Sequence, residues 1–373
     1  MKVFYVFSID YQLISHRRPI VEEAVKRGWD VYVIAKETEY RQQIEKMGVR
    51  FINLPINRVG TNPIEELKTC LFLYKLYKRE KPDLVHHVST KVVLWGGLMA
   101  KIAKVPRVVN AVNGLGTFFK NGEVDSWSKR LILQIMKFSH QRKNFVTIIQ
   151  NDDDKAFFIK HGIIPSNQLY LIHGSGVDLT EFAFSEEKPL TPLNLSFTSR
   201  MLREKGVMDV IKAALLLKDK YQDKLRFQLC GLIEEGPSAI SKNELDKLCD
   251  GKYIQYLGQR TDIKDLLADS AIVLLPSYYR EGIPKSLIEA SSIGRPIITT
   301  NSVGCKETVV NGVNGFLIPI KSPDILAEKI EILVNDASLR KRMGIESRKI
   351  AEQKFSINEV ISKHFSLYSS LGL

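Results

Sequence analysis

The sequence has few cysteines and lacks any long apolar run, and both absences narrow the class of protein. Its 373 residues include four cysteines, which are scattered without the spacing of metal ligands or redox motifs. We therefore expect reduced thiols in a cytosolic protein. No apolar run approaches the roughly 20 residues needed to span a bilayer. The apolar start, Met1–Ser8, is predicted to be a first strand, because no small-residue cleavage site follows it.

Two nucleotide-binding motifs are also missing. No G-x-G-x-x-G sequence follows the first predicted strand, which argues against a dinucleotide-dependent dehydrogenase. No Walker A loop is present either.

The sequence does contain a repeated alternation of predicted strands and helices. One series runs from Val3–Phe7 to Thr147–Ile149, and a second runs from Leu193–Thr198 to Pro296–Thr299. Such alternation predicts βαβ units and doubly wound parallel sheets. The stretch Phe182–Pro192 between the series is a predicted linker. The sequence therefore predicts an α/β protein with two Rossmann-like domains, whose ligand cleft lies between the carboxyl-terminal edges of two sheets.

The positive charge is confined to the first part of the chain. Residues 1–150 carry 25 Lys and Arg against 13 Asp and Glu, whereas residues 151–373 carry 29 of each. The whole excess of +12 therefore lies in the first part. Such asymmetry indicates a polyanionic partner, either nucleic acid or an anionic membrane surface. A solvated basic face has the same pattern.

Two glutamates eight positions apart mark a candidate ligand site. The apolar run Ala271–Leu275 predicts a buried strand, and Pro284 suits the first position of the following helix. A helix start favours anions such as phosphate. Glu281 would lie just outside this start and Glu289 about five residues into the helix, one carboxylate on each side of a nucleotide-sugar. The spacing alone is also typical of a surface turn with two solvated glutamates.

Two cations follow the first strand of the second series. Arg200 can donate a bidentate fork to phosphate oxygens, and Lys205 adds a point charge. Ligands bind at the carboxyl ends of strands in open α/β sheets, so both cations belong near such a site. They would neutralise the diphosphate of a departing nucleotide. Taken alone, the segment is also typical of a charged loop.

These residues together resemble the donor-site motifs of retaining GT-B glycosyltransferases of family 4. The likeness is to the branch that assembles capsular polysaccharides and lipid-linked glycans, and it covers essentially the whole chain in order. Members of this branch move a sugar from a UDP-sugar to a polyprenyl-diphosphate-linked saccharide at the cytoplasmic membrane. The donor-site motifs are Arg200 and Lys205, residues 280–284 (REGIP) and Glu289 with Ala290. The further segments similar to the branch are 16–19 (HRRP), 82–86 (PDLVH), 114–116 (GLG), 174–178 (GSGVD), 236–240 (GPSAI) and 304–309 (GCKETV).

The resemblance implies a division of the chain into three parts. Residues 1–184 would form an acceptor-binding Rossmann-like domain and residues 185–350 the donor-binding one. Residues 351–373 would form a helix that packs back toward the first domain.

The resemblance also implies roles on the donor side. Glu281, Arg200 and Lys205 are the candidate catalytic residues: Glu281 contacts the donor sugar, and the two cations hold the diphosphate. Glu289 would hold the ribose hydroxyls. The other candidate donor-binding residues are Gly282, Ile283, Pro284, Lys285, Ser286, Leu287, Gln259, Arg260 and His16.

On the acceptor side the sequence departs from the wider family. Asn113 stands where many relatives have a histidine, and Ser8–Tyr11 replaces a Gly-Gly pair. The reaction needs no nucleophile from Asn113 if the donor phosphate accepts the acceptor's proton, although Asn113 could orient a sugar hydroxyl. The candidate acceptor-side residues are Asp10, Asn113, Gly114, Phe118 and Phe119.

A basic amphipathic segment in the first part of the chain is a candidate for contact with an anionic membrane surface. Residues 127–143 include five Lys or Arg and no acidic residue. This pattern is typical of a helix lying on an anionic membrane surface. A helix that packs against the core and has a cationic outer face shows the same basic amphipathic pattern.

The resemblance further implies a peripheral membrane enzyme on the cytoplasmic face that uses UDP-GalNAc or UDP-GlcNAc, since N-acetylhexosamines are common in this branch. No bound cofactor and no metal are expected: the resemblance places the acidic cluster Asp152–Asp154 at a helix start, where capping explains it. A UDP-sugar 2-epimerase or hydrolase of the same fold is one alternative. A nucleic-acid-binding protein is another, although interleaved aromatic residues and a recognition motif are missing. We expect no nucleic-acid partner.

Overall fold

The computed structural model of this chain describes residues 1–57, 62–115, 124, 126–234, 236 and 238–373. Its contacts divide the chain into two units. The first comprises Met1–Ser175 with Ile357–Leu373, and the second comprises Gly176–Ser356. The division falls at Gly176, whereas the sequence places it at residue 185. Val177 donates its N–H to the Phe355 carbonyl at 2.8 Å, which ties the segment after Gly176 into the second unit.

Each unit is built on one parallel sheet, of seven strands in the first unit and six in the second. The first sheet has the order β3-β2-β1-β4-β5-β6-β7 and the second the order β10-β9-β8-β11-β12-β13. The strands are β1 (Lys2–Val6), β2 (Asp30–Ala35), β3 (Arg50–Asn53), β4 (Leu84–Val88), β5 (Val108–Val112), β6 (Phe145–Ile149), β7 (Leu169–Leu171), β8 (Leu193–Thr198), β9 (Leu225–Cys230), β10 (Ile254–Gly258), β11 (Ser270–Leu275), β12 (Ile297–Thr300) and β13 (Gly315–Ile318).

Helices connect the strands as βαβ crossovers require. A π-helical stretch, Leu13–Arg17, leads into the first of them. The helices are α1 (Arg18–Lys26), α2 (Arg41–Glu45), α3 (Pro63–Glu80), α4 (Thr90–Ala103), α5 (Trp127–Ser139), α6 (Asp152–Lys160), α7 (Val207–Tyr221), α8 (Lys242–Leu248), α9 (Ile263–Ala268), α10 (Lys285–Ile293), α11 (Pro323–Asn335), α12 (Ala337–Lys354) and α13 (Ile357–Ser370).

The central strands are apolar because both faces of each sheet are covered. All residues of β4, β5, β11 and β12 are buried. Helix α13 contributes Val360, Phe365 and Tyr368 to the core around β1 and β2. No helix within the described ranges is long and apolar enough to cross a membrane.

The predicted doubly wound α/β architecture is confirmed, and the local differences are small. Pro284 precedes α10 as its capping residue, with extended backbone (ψ 122°), and not as its first helical residue. Strands β7 and β13 were not predicted, because three or four residues give too short a pattern. At α6, Asn151 caps the helix by accepting the N–H of Asp154 at 2.8 Å.

Candidate active site

The Glu281 loop joins the end of β11 to the start of α10, at the carboxyl-terminal edge of the second sheet. Gly304 supports this loop from the neighbouring strand connection. Its φ is +82°, and a Cβ built there would lie 2.0 Å from the carbonyl oxygen of Gly282. Only glycine therefore allows the two backbones to approach this closely.

Glu281 forms a nearly buried ion pair at this edge. Its Oε1 accepts from the Lys205 ammonium and from the Ser277 hydroxyl, the latter at 3.2 Å. The Lys205 and Glu281 side chains are only 9% and 11% exposed. The ammonium also lies 4.9 Å from the centre of the Tyr279 ring, a cation–π contact. The two predicted catalytic residues, 76 positions apart, are thus in direct contact.

Arg200 follows β8 and lies near the same pair. Its Nη1 donates to Glu234 Oε2 at 2.8 Å. Burial alone would lower the pKa of the Arg200 guanidinium, but the charge of Glu234, with contributions from Tyr279 and Glu281, outweighs it and raises that pKa. Arg200 and Glu281 are therefore within electrostatic reach of each other. The site holds two cations within one small region.

Backbone contacts bring these two loops together. The carbonyl oxygen of Glu204 accepts the N–H groups of Tyr278 and Tyr279, at 2.9 and 3.0 Å. Gly206 has a φ of +81°, and a Cβ there would lie 2.1 Å from the Pro276 carbonyl oxygen. The loop after β8 is thus held against the loop after β11.

Helix α10 carries the second glutamate of the predicted pair. Glu289 is buried, and its Oε1 lies 3.4 Å from the Lys285 ammonium one turn earlier. Burial raises the pKa of Glu289, while Lys285 opposes that shift. The Leu287 N–H, predicted to meet phosphate, donates to the Pro284 carbonyl at 3.2 Å. A phosphate at this helix start would have to share the Leu287 N–H with the Pro284 carbonyl. Ile283 is buried, while Ser286 is partly exposed in the first turn of α10.

Gln259 and Arg260 lie at the same sheet edge, in the loop after the outermost strand. They follow β10, which is the second neighbour of β8. At ~4.8 Å per strand, that places them about 10 Å from the Arg200 strand. Arg260 donates from Nε to Asp262 Oδ1 at 2.7 Å. Arg200, Lys205 and Glu281 thus lie close to one another, whereas Gln259 and Arg260 lie farther from these three residues.

In the first unit, the predicted residues Asn113 and Gly114 directly follow β5, and His16 lies on the π-helical stretch between β1 and α1. Asn113 Oδ1 accepts from Arg17 Nη2 at 3.0 Å and from Gln150 Nε2 at 3.1 Å. Gly114 has a φ of +90°, and its carbonyl accepts the Thr90 hydroxyl at 3.2 Å. His16 Nδ1 lies 3.4 Å from the Ser175 hydroxyl.

Asp10 has a different environment from these residues. Its carboxylate is fully buried and accepts from Thr38, both N–H (2.7 Å) and hydroxyl (2.6 Å), and from the N–H groups of Tyr11 and Tyr40. It anchors the loop after β2 to the loop after β1. Phe118 and Phe119 lie outside the described residues.

Several residues of the site gave no sequence signal. Ser277, Glu234 and Tyr279 contact the predicted cations and carboxylate but belong to no pattern by themselves. Gly304 could have been found, because it begins the 304–309 motif. Arg17 belongs to the 16–19 motif, but the motif does not indicate that this cation is 1% exposed.

Two sequence families match the chain. The family described as Glycosyl transferases group 1 matches residues 178–350, and the family described as Glycosyl transferase 4-like matches residues 2–151. Each match therefore falls within one of the two units.

Characterised relatives match over nearly the full length. An N,N'-diacetylbacillosaminyl-diphospho-undecaprenol alpha-1,3-N-acetylgalactosaminyltransferase of Campylobacter jejuni is 30% identical, over 99% of this chain and 98% of the relative. The capsular polysaccharide biosynthesis glycosyltransferase CapM of Staphylococcus aureus is 26% identical, over 99% of this chain and 97% of CapM.

Solved structures agree with the fold. HepE of Anabaena in complex with UDP-glucose superposes with a TM-score of 0.78, at 18% identity, over 99% of this chain and 100% of that one. WaaG, a glycosyltransferase of lipopolysaccharide biosynthesis, gives a TM-score of 0.73 at 17% identity, covering 98% of each chain. The two sheets and the residues at their edges define a protein of the GT-B class. The chain belongs to the glycosyltransferases of family 4, as its motifs predicted.

Proposed function

We propose that this glycosyltransferase moves an N-acetylhexosamine, with retention of configuration, from a UDP-sugar to a polyprenyl-diphosphate-linked saccharide. The reaction would serve bacterial capsule, O-antigen or glycoprotein glycan assembly, on the inner face of the cell membrane. The relatives' names support a lipid-linked acceptor and an N-acetylgalactosamine donor, and UDP-glucose bound to HepE supports a UDP-sugar.

One observation carries the proposal: the contact of Lys205 with Glu281, beside Arg200, at the carboxyl-terminal edge of the second sheet. Two cations at this edge match the two negative charges of a diphosphate. Fixed before the reaction, they stabilise the charge that develops on the leaving UDP. We propose that they do so without a metal ion.

Retention follows from displacement on one face of the sugar. The acceptor hydroxyl bonds to the anomeric carbon as the bond to the UDP oxygen breaks, and a β-phosphate oxygen takes the hydroxyl proton. Glu281 is engaged by Lys205 and Ser277, so its proposed role is to accept hydrogen bonds from donor-sugar hydroxyls, not to attack the anomeric carbon.

Glu289 is proposed to accept hydrogen bonds from the ribose hydroxyls. We expect Glu289→Gln to weaken UDP binding at least ~10-fold at pH 7, the size of a hydrogen bond to a charged acceptor, in isothermal titration calorimetry. The same substitution should not lower the Tm, because burial disfavours the ionised carboxylate and glutamine removes that penalty. The control Glu328→Gln, on an exposed side chain, should leave UDP affinity unchanged.

The titration of Glu289 predicts the direction in which UDP affinity changes with pH. The pKa of Glu289 is raised above the ordinary 4.5, so protonation in the folded state begins at a higher pH than for an exposed glutamate. The stability contributed by the buried protonated form is present below that ordinary value and is lost as the pH rises through the raised pKa. Protonation makes the carboxyl a weaker acceptor for the ribose hydroxyls. In the wild type, UDP affinity should therefore fall as the pH is lowered through the raised pKa of Glu289, beginning above pH 4.5, but it should not do so in Glu289→Gln. Parallel pH profiles would contradict the ribose role.

A donor screen tests the function directly. The purified chain is incubated with radiolabelled UDP-sugars and bacterial membrane lipid extract. We expect label in the lipid phase for one UDP-N-acetylhexosamine, and its anomeric configuration should match that of the donor. Release of free sugar with no lipid label would contradict transfer and favour the hydrolase or epimerase alternative.

Membrane association is proposed for helix α5. Its Leu133 and Met136 are buried, while Trp127, Leu131 and Phe138 are 78%, 50% and 47% exposed. Exposed aromatic residues next to cations are typical of an interfacial helix. The cations Arg130 and Lys137 are exposed on the same helix.

We expect the double variant Arg130→Glu, Lys137→Glu to lose at least ~10-fold in binding to phosphatidylglycerol-containing vesicles, because each cation contributes ~1 kcal/mol near an anionic surface. Vesicle sedimentation measures the change. The matched control is Lys242→Glu with Lys247→Glu, exposed on α8 of the second unit, which should bind like the wild type. Equal losses in both double variants would show a non-specific charge effect.

A further inference from the structure

Arg17 is a buried cation at the carboxyl-terminal edge of the first sheet. It is 1% exposed and lies at the end of the π-helical stretch after β1. Burial lowers the pKa of its guanidinium to about 10, so it stays charged at neutral pH. Among the described residues it forms no ion pair; its hydrogen bonds go to Asn113 Oδ1 (3.0 Å) and the His16 carbonyl (3.5 Å). Burying a charge without an ion-pair partner costs folding free energy, so its presence here indicates a functional reason.

The groups behind Arg17 do not neutralise it. His86, from β4, and His364 and Tyr368, from α13, are all buried nearby. His86 Nδ1 lies 2.6 Å from the Tyr368 hydroxyl, and the rings of His86 and His364 stack 5.8 Å apart. Burial, followed by the charge of Arg17, lowers the pKa of His364 to about 3, so this ring is neutral at physiological pH. Within the described ranges, the positive charge is therefore compensated only by dipoles, one of which is the Asn113 amide.

The contact with Arg17 determines which way the Asn113 amide points. A guanidinium can only donate, so the atom facing it must be the amide oxygen. Gln150 Nε2 donates to the same oxygen at 3.1 Å. Turning the amide over would place its NH₂ against two donors. The Asn113 NH₂ is thus left at the partly exposed end of the side chain, and within the described part of the chain it has no hydrogen-bond partner.

We propose that Arg17 is a positioning residue for sugar transfer. It fixes the Asn113 amide so that the NH₂ group donates to an oxygen of the acceptor saccharide, and its charge polarises that amide into a stronger donor. The inference rests on the proposed function, together with the acceptor-binding role that the family resemblance implies for the first domain. Asn113, Gln150 and Arg17 follow β5, β6 and β1, where ligands bind in sheets of this kind.

A double-mutant cycle tests the inference. Arg17→Met removes the donor while retaining apolar volume, and Asn113→Ala removes the amide. Each should lower kcat/KM for the lipid-linked acceptor by about 10-fold, the size of a hydrogen bond involving a charged group, and change the KM for the UDP-sugar by less than about 2-fold. Because Arg17 acts through Asn113, the double variant should be no worse than Asn113→Ala alone.

The matched control is Arg18→Met, the next residue along, which is exposed and pairs with Glu22. It should have wild-type kinetics. If Arg17→Met does not fold, Arg17→Gln replaces the cation by a neutral amide that need not donate to Asn113 Oδ1, and the same selective loss for the acceptor is expected.

Losses that add fully in the double variant, or that fall equally on donor and acceptor, would overturn the role of Arg17. Unchanged acceptor kinetics in Arg17→Gln would do so where Arg17→Met cannot be measured. These outcomes require a wild type that labels lipid. A wild type that only releases free sugar overturns the proposed function instead, and the positioning role with it.

Discussion

Replacing Arg200 or Glu281 by alanine should lower the rate of sugar transfer at least ~100-fold, because each side chain makes electrostatic contacts that matter most in the transition state. Arg200 is proposed to neutralise the leaving UDP, and Glu281 to fix the donor sugar. Transfer of radiolabelled sugar to lipid at saturating donor measures the loss as a change in kcat.

The control for this prediction is Arg203→Ala. Arg203 belongs to the same loop as Arg200 but forms a partly exposed ion pair with Glu244 at 2.8 Å. Such pairs contribute little, and we expect turnover within about 2-fold of the wild type. Near-wild-type turnover in Arg200→Ala or Glu281→Ala would refute the proposed site.

Lys205→Met should have the largest effect on stability. The substitution leaves the Glu281 carboxylate, 11% exposed, without its cation, and breaking a buried pair in this way costs about 3 kcal/mol. At ~2–4 °C per kcal/mol for a unit of this size, calorimetry should show a fall of roughly 6–12 °C in the Tm of the second unit.

A second substitution separates the charge effect from packing. In Lys205→Met with Glu281→Leu the unpaired carboxylate is gone, so most of the lost Tm should return, while transfer should stay at least ~100-fold below the wild type. Lys220→Met, on an exposed pair with Glu331, should leave the Tm within about 1 °C. A Tm in Lys205→Met that matches this control would show that the Lys205–Glu281 pair contributes no stability.

Local pattern was enough to place the elements that carry the site. The predicted helix Lys285–Ile293 has the same bounds in the structure, and β11 is one residue longer than its apolar run. Both follow from apolar periodicity and from Gly294, whose φ of +85° ends the helix. The roles of Arg200 and Lys205 were predicted from their position after a parallel strand, which topology places at the sheet's ligand-binding edge.

The contacts of these side chains could not be predicted in the same way. The pairing of Lys205 with Glu281 depends on the Glu204 carbonyl holding the Tyr278 and Tyr279 N–H groups. Arg260, a predicted donor-site residue, pairs with Asp262 in the loop after the outermost strand, β10. These outcomes depend on loop backbones, which have no periodic sequence signal.

By itself, the sequence determined the α/β alternation, the family and the residue types at two sheet edges, because hydrophobic periodicity and motif order are local properties of the chain. Only the tertiary structure decided that Lys205 meets Glu281, that Arg17 is buried and bonded to Asn113, and that Asp10 is fully enclosed. Burial and partner choice are set by packing between residues far apart in sequence. The same charged residue can therefore be solvated, paired or buried, depending on which backbone lies beside it.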